Sequence, residues 1–155
     1  MRRNALTILL AEDDDGHAVL VERHLRRSGV TATITRTHDG QDALDFVHGV
    51  GAHAGRHTGG PLLVLLDIHM PRLDGIEVLR RLKASSATAS IPVVMLTTTD
   101  NPQEIARCYT LGCNVYVTKP VSYEALSEAL HRLALFLGII RVADEPTAAY
   151  GGSHA

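Results

Sequence analysis

Residues 62–67 read Leu-Leu-Val-Leu-Leu-Asp, five apolar residues that run directly into the carboxylate of Asp67. A continuous apolar run of this length is typical of a strand buried on both faces, as in a parallel sheet. Ligand sites in open α/β sheets lie beyond the carboxyl ends of the strands. Asp67 is therefore a candidate functional residue, provided that other strand ends bring matching groups to it.

Five apolar runs alternate with five helical patterns along the chain. Strands are predicted at residues 6–11, 31–37, 62–67, 92–97 and 115–118. Helices are predicted at residues 18–27, 43–50 and 76–83, from Pro102 to near Gly112, and from Ser122 onward. This alternation indicates an α/β fold, a doubly wound parallel sheet with helices on both faces. The Thr-rich second strand is expected at the sheet edge, and the third helix places either Leu82 or Lys83 on its apolar face.

Composition limits which other classes of protein this chain can belong to. The 155 residues suit one domain, and 45% apolar residues are enough for a core. The net charge of −2 gives no reason to expect nucleic-acid binding. No apolar run approaches the length of a membrane span and no signal peptide is recognisable, so we expect a cytoplasmic protein that does not bind membranes. Cys108 and Cys113 are too few for a disulfide framework and fit a reducing compartment.

Chemically useful side chains follow four of the predicted strands. Glu12 and Asp13 follow the first strand, Asp67 ends the third, and two threonines and a lysine, Thr97, Thr98 and Lys119, lie at the ends of the fourth and fifth. If the strands are parallel, these groups meet at one rim of the sheet.

Clustered carboxylates repel one another unless a cation or protons neutralise them. Oxygen ligands select a hard cation, and Mg²⁺ with retained waters suits an open site. A lysine and a threonine beside such a metal are the groups that bind phosphoryl oxygens. The rim therefore predicts phosphoryl transfer, with a carboxylate as the nucleophile.

Four segments together resemble the receiver domain of the response regulator family in two-component signalling. These are residues 8–14 (Ile-Leu-Leu-Ala-Glu-Asp-Asp), 65–75 (Leu-Leu-Asp-Ile-His-Met-Pro-Arg-Leu-Asp-Gly), 93–97 (Val-Val-Met-Leu-Thr) and 116–120 (Tyr-Val-Thr-Lys-Pro). The resemblance covers roughly residues 5–137. It implies a flavodoxin-like (βα)5 fold with strand order 2-1-3-4-5. Ala11 departs from the β-branched residue usual before the acidic pair, which thins the packing but removes no chemistry.

The resemblance also implies a role for each residue of the rim. Asp67 resembles the phospho-accepting aspartate. The implied ligands of Mg²⁺, or of Mn²⁺ or another hard divalent cation, are Glu12, Asp13, Asp67 and the backbone carbonyl of His69. The implied phosphoryl-binding and switch residues are Thr97, Thr98, Lys119 and Tyr116, with Pro120 in a cis-proline turn. Tyr116 is alternatively an ordinary half-buried strand residue.

Several other residues have simpler interpretations. Asp14 and Asp15 are expected to be loop or helix N-terminal charges, and Asp74 a helix cap. His53 and His57 have a spacing that binds metal on a helix, but they lie in a Gly- and His-rich segment, residues 49–61, which we expect to be an exposed loop.

The implied function is a single-domain response regulator without an output domain. It would receive a phosphoryl group from a histidine kinase and relay the signal through its fourth helix, fifth strand and fifth helix. Its long loop before the third strand, the form of its fourth strand and an apolar extension over residues 133–142 resemble the small regulators of phytochrome-type kinases. The receiver is expected over residues 5–142, followed by a disordered tail, residues 143–155.

The last helix carries more apolar residues than one core-facing stripe requires, which predicts a homodimer through this helix, its extension and the signalling face. The residues concerned are Leu126, Leu130, Leu133, Leu137, Ile139 and Ile140.

Two other functions remain open. One is an aspartyl-phosphate phosphatase or phosphotransferase of the haloacid-dehalogenase type. These enzymes place a second Asp two residues after the nucleophile, where this chain has His69. The other is a receiver-like scaffold that is never phosphorylated, which the intact set of rim residues disfavours. We therefore expect no enzymatic activity beyond autocatalytic phosphorylation and dephosphorylation.

Overall fold

The computed structural model describes residues 5–98 and 100–137, with side chains described to residue 133. In chain order the elements are β1 (Thr7–Ala11), α1 (Asp15–Arg27), β2 (Thr33–Thr37), α2 (Gly40–His48), a 3-10 turn (Gly51–His53), β3 (Leu62–Asp67), α3 (Gly75–Ala84), β4 (Val93–Thr97), α4 (Pro102–Leu111), β5 (Val115–Thr118) and α5 (Tyr123–Leu137). None of the helices within the described residues is long and apolar enough to cross a membrane.

The five strands form one parallel sheet in the order β2-β1-β3-β4-β5. This confirms the predicted fold and strand order, with β2 at an edge. Every residue of β3 is buried, as its apolar run predicts. Because side chains alternate across the sheet, Leu9, Val64 and Met95 pack on the face covered by α2, α3 and α4. Ile8 and Leu65 pack on the opposite face, which α1 and α5 cover.

Two helices begin three residues before their predicted starts at residues 18 and 43. The side chain of Asp14 accepts a hydrogen bond from the His17 N–H and caps α1, and Asp39 caps α2 through the Asp42 N–H. Apolar periodicity marks where a helix meets the core, whereas its first turn here is polar and is defined by the cap. In α3 the open choice is settled, since Leu82 is the fully buried residue.

Residues 49–61 form a mostly exposed segment between α2 and β3, as expected, and side-chain contacts attach it to α2. They include the 3-10 turn, and the Arg56 guanidinium lies over the Phe46 ring of α2, with its carbon 4.1 Å from the ring centroid. Arg56 Nε and Nη2 donate to the carbonyls of Phe46 and Val47 at 2.7 and 3.2 Å. His53 Nε2 lies 2.8 Å from Asp42 Oδ1. These contacts fasten the segment to both ends of α2, through Asp42 in its first turn and through Phe46 and Val47 near its last.

The last helix buries part of the apolar stripe that suggested a dimer. Leu126, Leu130 and Leu133 are all buried, and they pack on the face of the sheet that α1 and α5 cover. The other members of the predicted stripe, Leu137, Ile139 and Ile140, lie outside the residues whose side chains the structure describes. The extension from residue 138 and the predicted disordered tail lie outside the described residues.

Candidate functional site

The parallel register brings the predicted site residues to one rim. Ala11, the residue before Glu12, pairs with Leu66, the residue before Asp67. Asp67 in turn pairs with Leu96, and Thr97 pairs with Thr118, the residue before Lys119. The Lys119 N–H donates to the Thr97 carbonyl at 2.8 Å. The carboxyl ends of β1, β3, β4 and β5 thus meet at one place, as predicted.

Three carboxylates form a compact cluster at this rim. One oxygen from each of Glu12, Asp13 and Asp67 lies within 4.8 Å of the other two. Glu12 and Asp67 are buried, with exposures of 0% and 2%, whereas Asp13 is exposed. Their donor set is purely oxygen, which suits a hard divalent cation.

Lys119 is the cation that the protein itself supplies to this cluster. Its Nζ lies 2.9 Å from Glu12 Oε1 and 3.2 Å from Asp67 Oδ2. Burial alone would lower the pKa of Lys119, but its hydrogen bonds and charge interactions with Glu12 and Asp67 raise it above the ordinary value. Lys119 therefore remains an ammonium group, and one charge faces at least two buried acids.

In this arrangement only one of the two carboxylate oxygens of Asp67 has a partner among the described residues. Its Oδ1 is buried and has no hydrogen-bond partner among the residues that the structure describes. Burial and the neighbouring Glu12 carboxylate raise the pKa of Asp67, while Lys119 and the backbone N–H of His69 oppose this. A buried carboxylate oxygen without a donor is costly, and a metal ion would satisfy it. The residues present therefore fit a hard divalent cation.

Thr97 and Tyr116 are linked beside this cluster. Thr97 is fully buried, and the partly buried Tyr116 packs against the core face shared with α4. Burial raises the pKa of Tyr116 to about 12, with Cys108 and Glu104 acting in the same direction, while a side-chain hydrogen bond with Thr97 opposes the rise. A change in the Thr97 side chain would therefore reach the Tyr116 ring directly.

The other predicted site residues lie around the rim. Thr98 and His69 are exposed in the loops that follow β4 and β3. The peptide bond between Lys119 and Pro120 is cis, as predicted.

Gly75 allows α3 to begin close under Asp67. A Cβ atom at Gly75 would lie 2.1 Å from the Asp67 carbonyl oxygen, closer than any side chain permits. The Gly75 N–H donates to the Ile68 carbonyl at 2.7 Å, and Asp74 caps the helix through the Glu77 N–H. Asp74 is thus a cap, as predicted, and the Asp74-Gly75 pair sets the path of the loop that leaves Asp67.

Two residues that the sequence did not single out also belong to the site. His17 Nδ1 lies 3.1 Å from Glu12 Oε1, and Arg36 Nε donates to the Glu12 backbone carbonyl at 2.8 Å. Arg36 also forms an ion pair with Asp15. No motif marks these residues. Arg36 could have been suspected from its position next to β1 once β2 was assigned to that edge.

His53 and His57 belong to no cluster of three or more possible metal ligands among the described residues. In the described part of the chain, the acidic cluster at the rim is the one group of possible ligands close enough to hold an ion. His53 instead pairs with Asp42.

A doubly wound parallel sheet of order 2-1-3-4-5, with clustered acids and a lysine at its carboxyl rim, defines a receiver-type protein. A family model for the response regulator receiver domain matches residues 8–131, and the chain belongs to this family.

Individual relatives and solved structures show which members of this family the chain is similar to. The probable methanogenesis regulatory protein FilR2 of Methanothrix harundinacea is 39% identical over 81% of this chain and 79% of its own. Response regulator Rcp1 of Synechocystis is 33% identical over 83% and 86%. The structure of the bacteriophytochrome response regulator RtBRR superposes with a TM-score of 0.78 at 36% identity, covering 88% of this chain and 80% of that one. The Mn²⁺-bound form of Rcp1 superposes with a TM-score of 0.70 at 29% identity, covering 88% and 97%.

Proposed function

We propose that this protein is a response regulator that accepts a phosphoryl group on Asp67 from a histidine kinase. The observation that carries the proposal is the state of Asp67, which is buried at the sheet rim with Oδ2 beside Lys119 and Oδ1 unpartnered among the described residues. A carboxylate in this setting has an oxygen available to an electrophile and a cation at hand for the incoming charge.

The proposed metal ligands are Glu12, Asp13, Asp67 and the backbone carbonyl of His69. The close approach of the three carboxylates supports this set, and the Mn²⁺-bound form of Rcp1 supports a divalent cation in this family. We propose Mg²⁺ as the ion in the cell, because it favours oxygen ligands and open sites that retain water. When bound, the ion would offset negative charge on the transferring phosphoryl oxygens.

In the proposed transfer, an Asp67 oxygen forms the new bond to phosphorus while the bond from phosphorus to the donor breaks. Lys119 then exchanges its contact with the Asp67 carboxylate for a phosphoryl oxygen. The Thr97 hydroxyl and the groups of Thr98 lie at the same rim and would bind the other oxygens. The turn at Pro120 carries the chain from Lys119 towards α5.

The signal would leave through the face formed by α4, β5 and α5. The hydrogen bond between Thr97 and Tyr116 supports this route, since a Thr97 hydroxyl drawn towards the phosphoryl group must release Tyr116. The described residues of α4 bury only Cys108, and Tyr109 on the same helix is 47% exposed. A helix with so small a buried face can shift at low cost and presents a surface to partners.

The similarity to RtBRR and Rcp1 supports a bacteriophytochrome-type histidine kinase as the donor. We further propose a cytoplasmic homodimer that forms through the α4-β5-α5 face and the C-terminal extension. Light scattering at tens of micromolar, with and without phosphorylation, tests the dimer. A monomer in both states would contradict it.

Intact mass spectrometry tests phosphorylation directly. The protein is incubated with Mg²⁺ and acetyl phosphate, beside the Asp67→Asn variant and a sample containing EDTA. We expect a gain of one phosphoryl group in the Mg²⁺ sample alone. No gain under any condition would support a scaffold instead. Steady hydrolysis of phosphate esters would support the alternative of an aspartyl-phosphate phosphatase.

A further inference from the structure

His17 lies in the first turn of α1 and contacts two separate parts of the site. Its Nδ1 is 3.1 Å from Glu12 Oε1, and its Nε2 accepts a hydrogen bond from the Val121 N–H at 3.4 Å. Val121 follows Lys119 and Pro120 in the loop that leaves β5. The ring is largely buried, with 10% of its side chain exposed. One side chain therefore connects the acid after β1 to the loop that carries the lysine.

The two partners determine which ring nitrogen carries the proton. A backbone N–H can only donate, so Nε2 must be the unprotonated, accepting nitrogen of a neutral imidazole. The proton is then on Nδ1, where it faces a carboxylate oxygen that can only accept. Both contacts are thus consistent with the neutral tautomer that is protonated on Nδ1. They are not both consistent with the tautomer protonated on Nε2 or with the doubly protonated ring.

Glu12 depends on such a partner because it is fully buried. Its Oε1 contacts Lys119 and His17, while its Oε2 contacts Lys119 and the Asp14 N–H at 3.1 Å. In the proposed phosphorylated state Lys119 turns towards the phosphoryl group and shares its charge. His17 and the Asp14 N–H are then the protein groups that still contact the Glu12 carboxylate.

We infer that His17 is a positioning residue that fixes Glu12 through Nδ1–H and the loop after Pro120 through Nε2. It touches neither the nucleophile nor the phosphoryl group and acts through these two contacts. The role in metal binding rests on the proposed function above, whereas the tautomer and the contact with Val121 do not.

The tautomer is tested in the metal-free protein by ¹⁵N-histidine NMR at pH 7.5. Two-bond nitrogen–proton correlations distinguish the forms of each ring. We expect His17 to show a protonated Nδ1 and an unprotonated Nε2. A protonated Nε2 on His17 overturns the inference, because the Val121 N–H would then face a donor.

Two amide variants separate the two contacts. An asparagine amide reaches the position of Nδ1, and a glutamine amide reaches that of Nε2. His17→Asn should keep Mn²⁺ affinity within about twofold but speed hydrogen exchange at the Val121 amide by about tenfold. His17→Gln should preserve Val121 protection and weaken Mn²⁺ binding by roughly tenfold, as loss of groups that orient metal ligands does.

His24→Asn on the same helix is the matched control, because the His24 ring meets the Tyr123 ring edge-on, with centroids 6.0 Å apart, and lies away from the rim. It should change neither readout. Equal effects of the Asn and Gln variants on both readouts would show that His17 merely fills space, and overturn the inference. If the wild-type protein bound no Mn²⁺, the proposed function would fail, while the tautomer and the Val121 exchange would still decide the role of His17.

Discussion

Lys119 Nζ lies 3.2 Å from Asp67 Oδ2, and the other oxygen of this carboxylate is buried with no partner among the described residues. The carboxylate of this ion pair therefore keeps one oxygen without a hydrogen-bond donor among the described residues. Buried ion pairs stabilise a fold only when their remaining hydrogen-bonding groups are also satisfied. A site kept in this state is better suited to receiving a metal and a phosphoryl group than to stabilising the protein.

Lys119→Met should destabilise the metal-free protein and make it depend more on metal. Without the ammonium group, the buried carboxylates of Glu12 and Asp67 lose their cation, at a cost of about 3 kcal/mol in the free energy of unfolding. Mg²⁺ can replace that charge, so urea unfolding should show a larger Mg²⁺ stabilisation in the variant than in the wild type.

The other lysine of the chain provides the control. Lys83 Nζ donates to the carbonyls of Ala89 and Ile91 and lies away from the acids, so Lys83→Met should lose stability without a larger response to Mg²⁺. Equal Mg²⁺ responses in the two variants would contradict the assignment. We also expect Lys119→Met to accept phosphate from acetyl phosphate while its NMR spectrum lacks the phosphorylation-dependent shifts on α4 and β5.

Asp67→Asn should stabilise the metal-free protein at neutral pH. Because the pKa of Asp67 is raised in the folded state, the folded protein releases this proton at a higher pH than the unfolded chain does. The resulting cost is absent below the ordinary value of 3.8 and complete above the folded-state pKa. The variant should therefore gain about 1 kcal/mol at pH 7, and the gain should shrink as the pH falls towards 4.

Urea unfolding in EDTA at several pH values measures this difference. Asp15→Asn is the control, because the Asp15 side chain is 85% exposed and the variant has the same change in charge. A gain for Asp67→Asn that stays constant from pH 7 to pH 4 would show that the stabilisation has another origin.

Asp13→Asn should weaken Mg²⁺ binding by roughly tenfold or more, because it removes one of three clustered carboxylates and ligand charge sets the affinity of such sites. Asp15→Asn removes the same charge two residues away and should leave the dissociation constant within about twofold. Calorimetric titration with Mg²⁺ provides both values. Similar losses in the two variants would indicate a general electrostatic effect and no direct ligand.

Gly75→Ala should destabilise the protein by about 3 kcal/mol, because the new methyl group would meet the Asp67 carbonyl oxygen at 2.1 Å and the backbone must move. Gly16→Ala is the matched helical control. Its Cβ would lie 3.5 Å from the nearest atom, Asp14 Oδ1, so it should be neutral or slightly stabilising. Urea unfolding measures both variants, and equal stabilities would contradict the close approach of α3 to Asp67.

Arg56→Lys should destabilise the segment 49–61 by about 1–2 kcal/mol. A lysine cannot reproduce the planar group that stacks on Phe46 and donates to two carbonyls at the end of α2. Hydrogen exchange in this segment should rise in the variant. Arg23→Lys, at an exposed position of α1, should leave hydrogen exchange in the segment 49–61 unchanged. Unchanged exchange in Arg56→Lys would show that other contacts hold the segment.

The central part of the fold could be predicted from local patterns. A strand buried on both faces must be apolar at every position, so β3 and the adjoining Asp67 are visible in the sequence. Boundaries were predicted less well. The first turns of α1 and α2 are polar, and hydrogen bonds that the cap side chains of Asp14 and Asp39 accept decide where these helices begin.

The sequence by itself determined which groups end each strand, and hence that acids, a threonine and a lysine would share one rim. Only the tertiary structure decided how these groups satisfy one another. His17 contacts Val121, and Arg56 contacts Phe46. The two residues of each pair lie in different elements, so the repeat of a single strand or helix cannot predict that they meet. The Asp67 oxygen that lacks a partner among the described residues is likewise a property of the packed rim, because its contacts depend on how the surrounding side chains direct their donors.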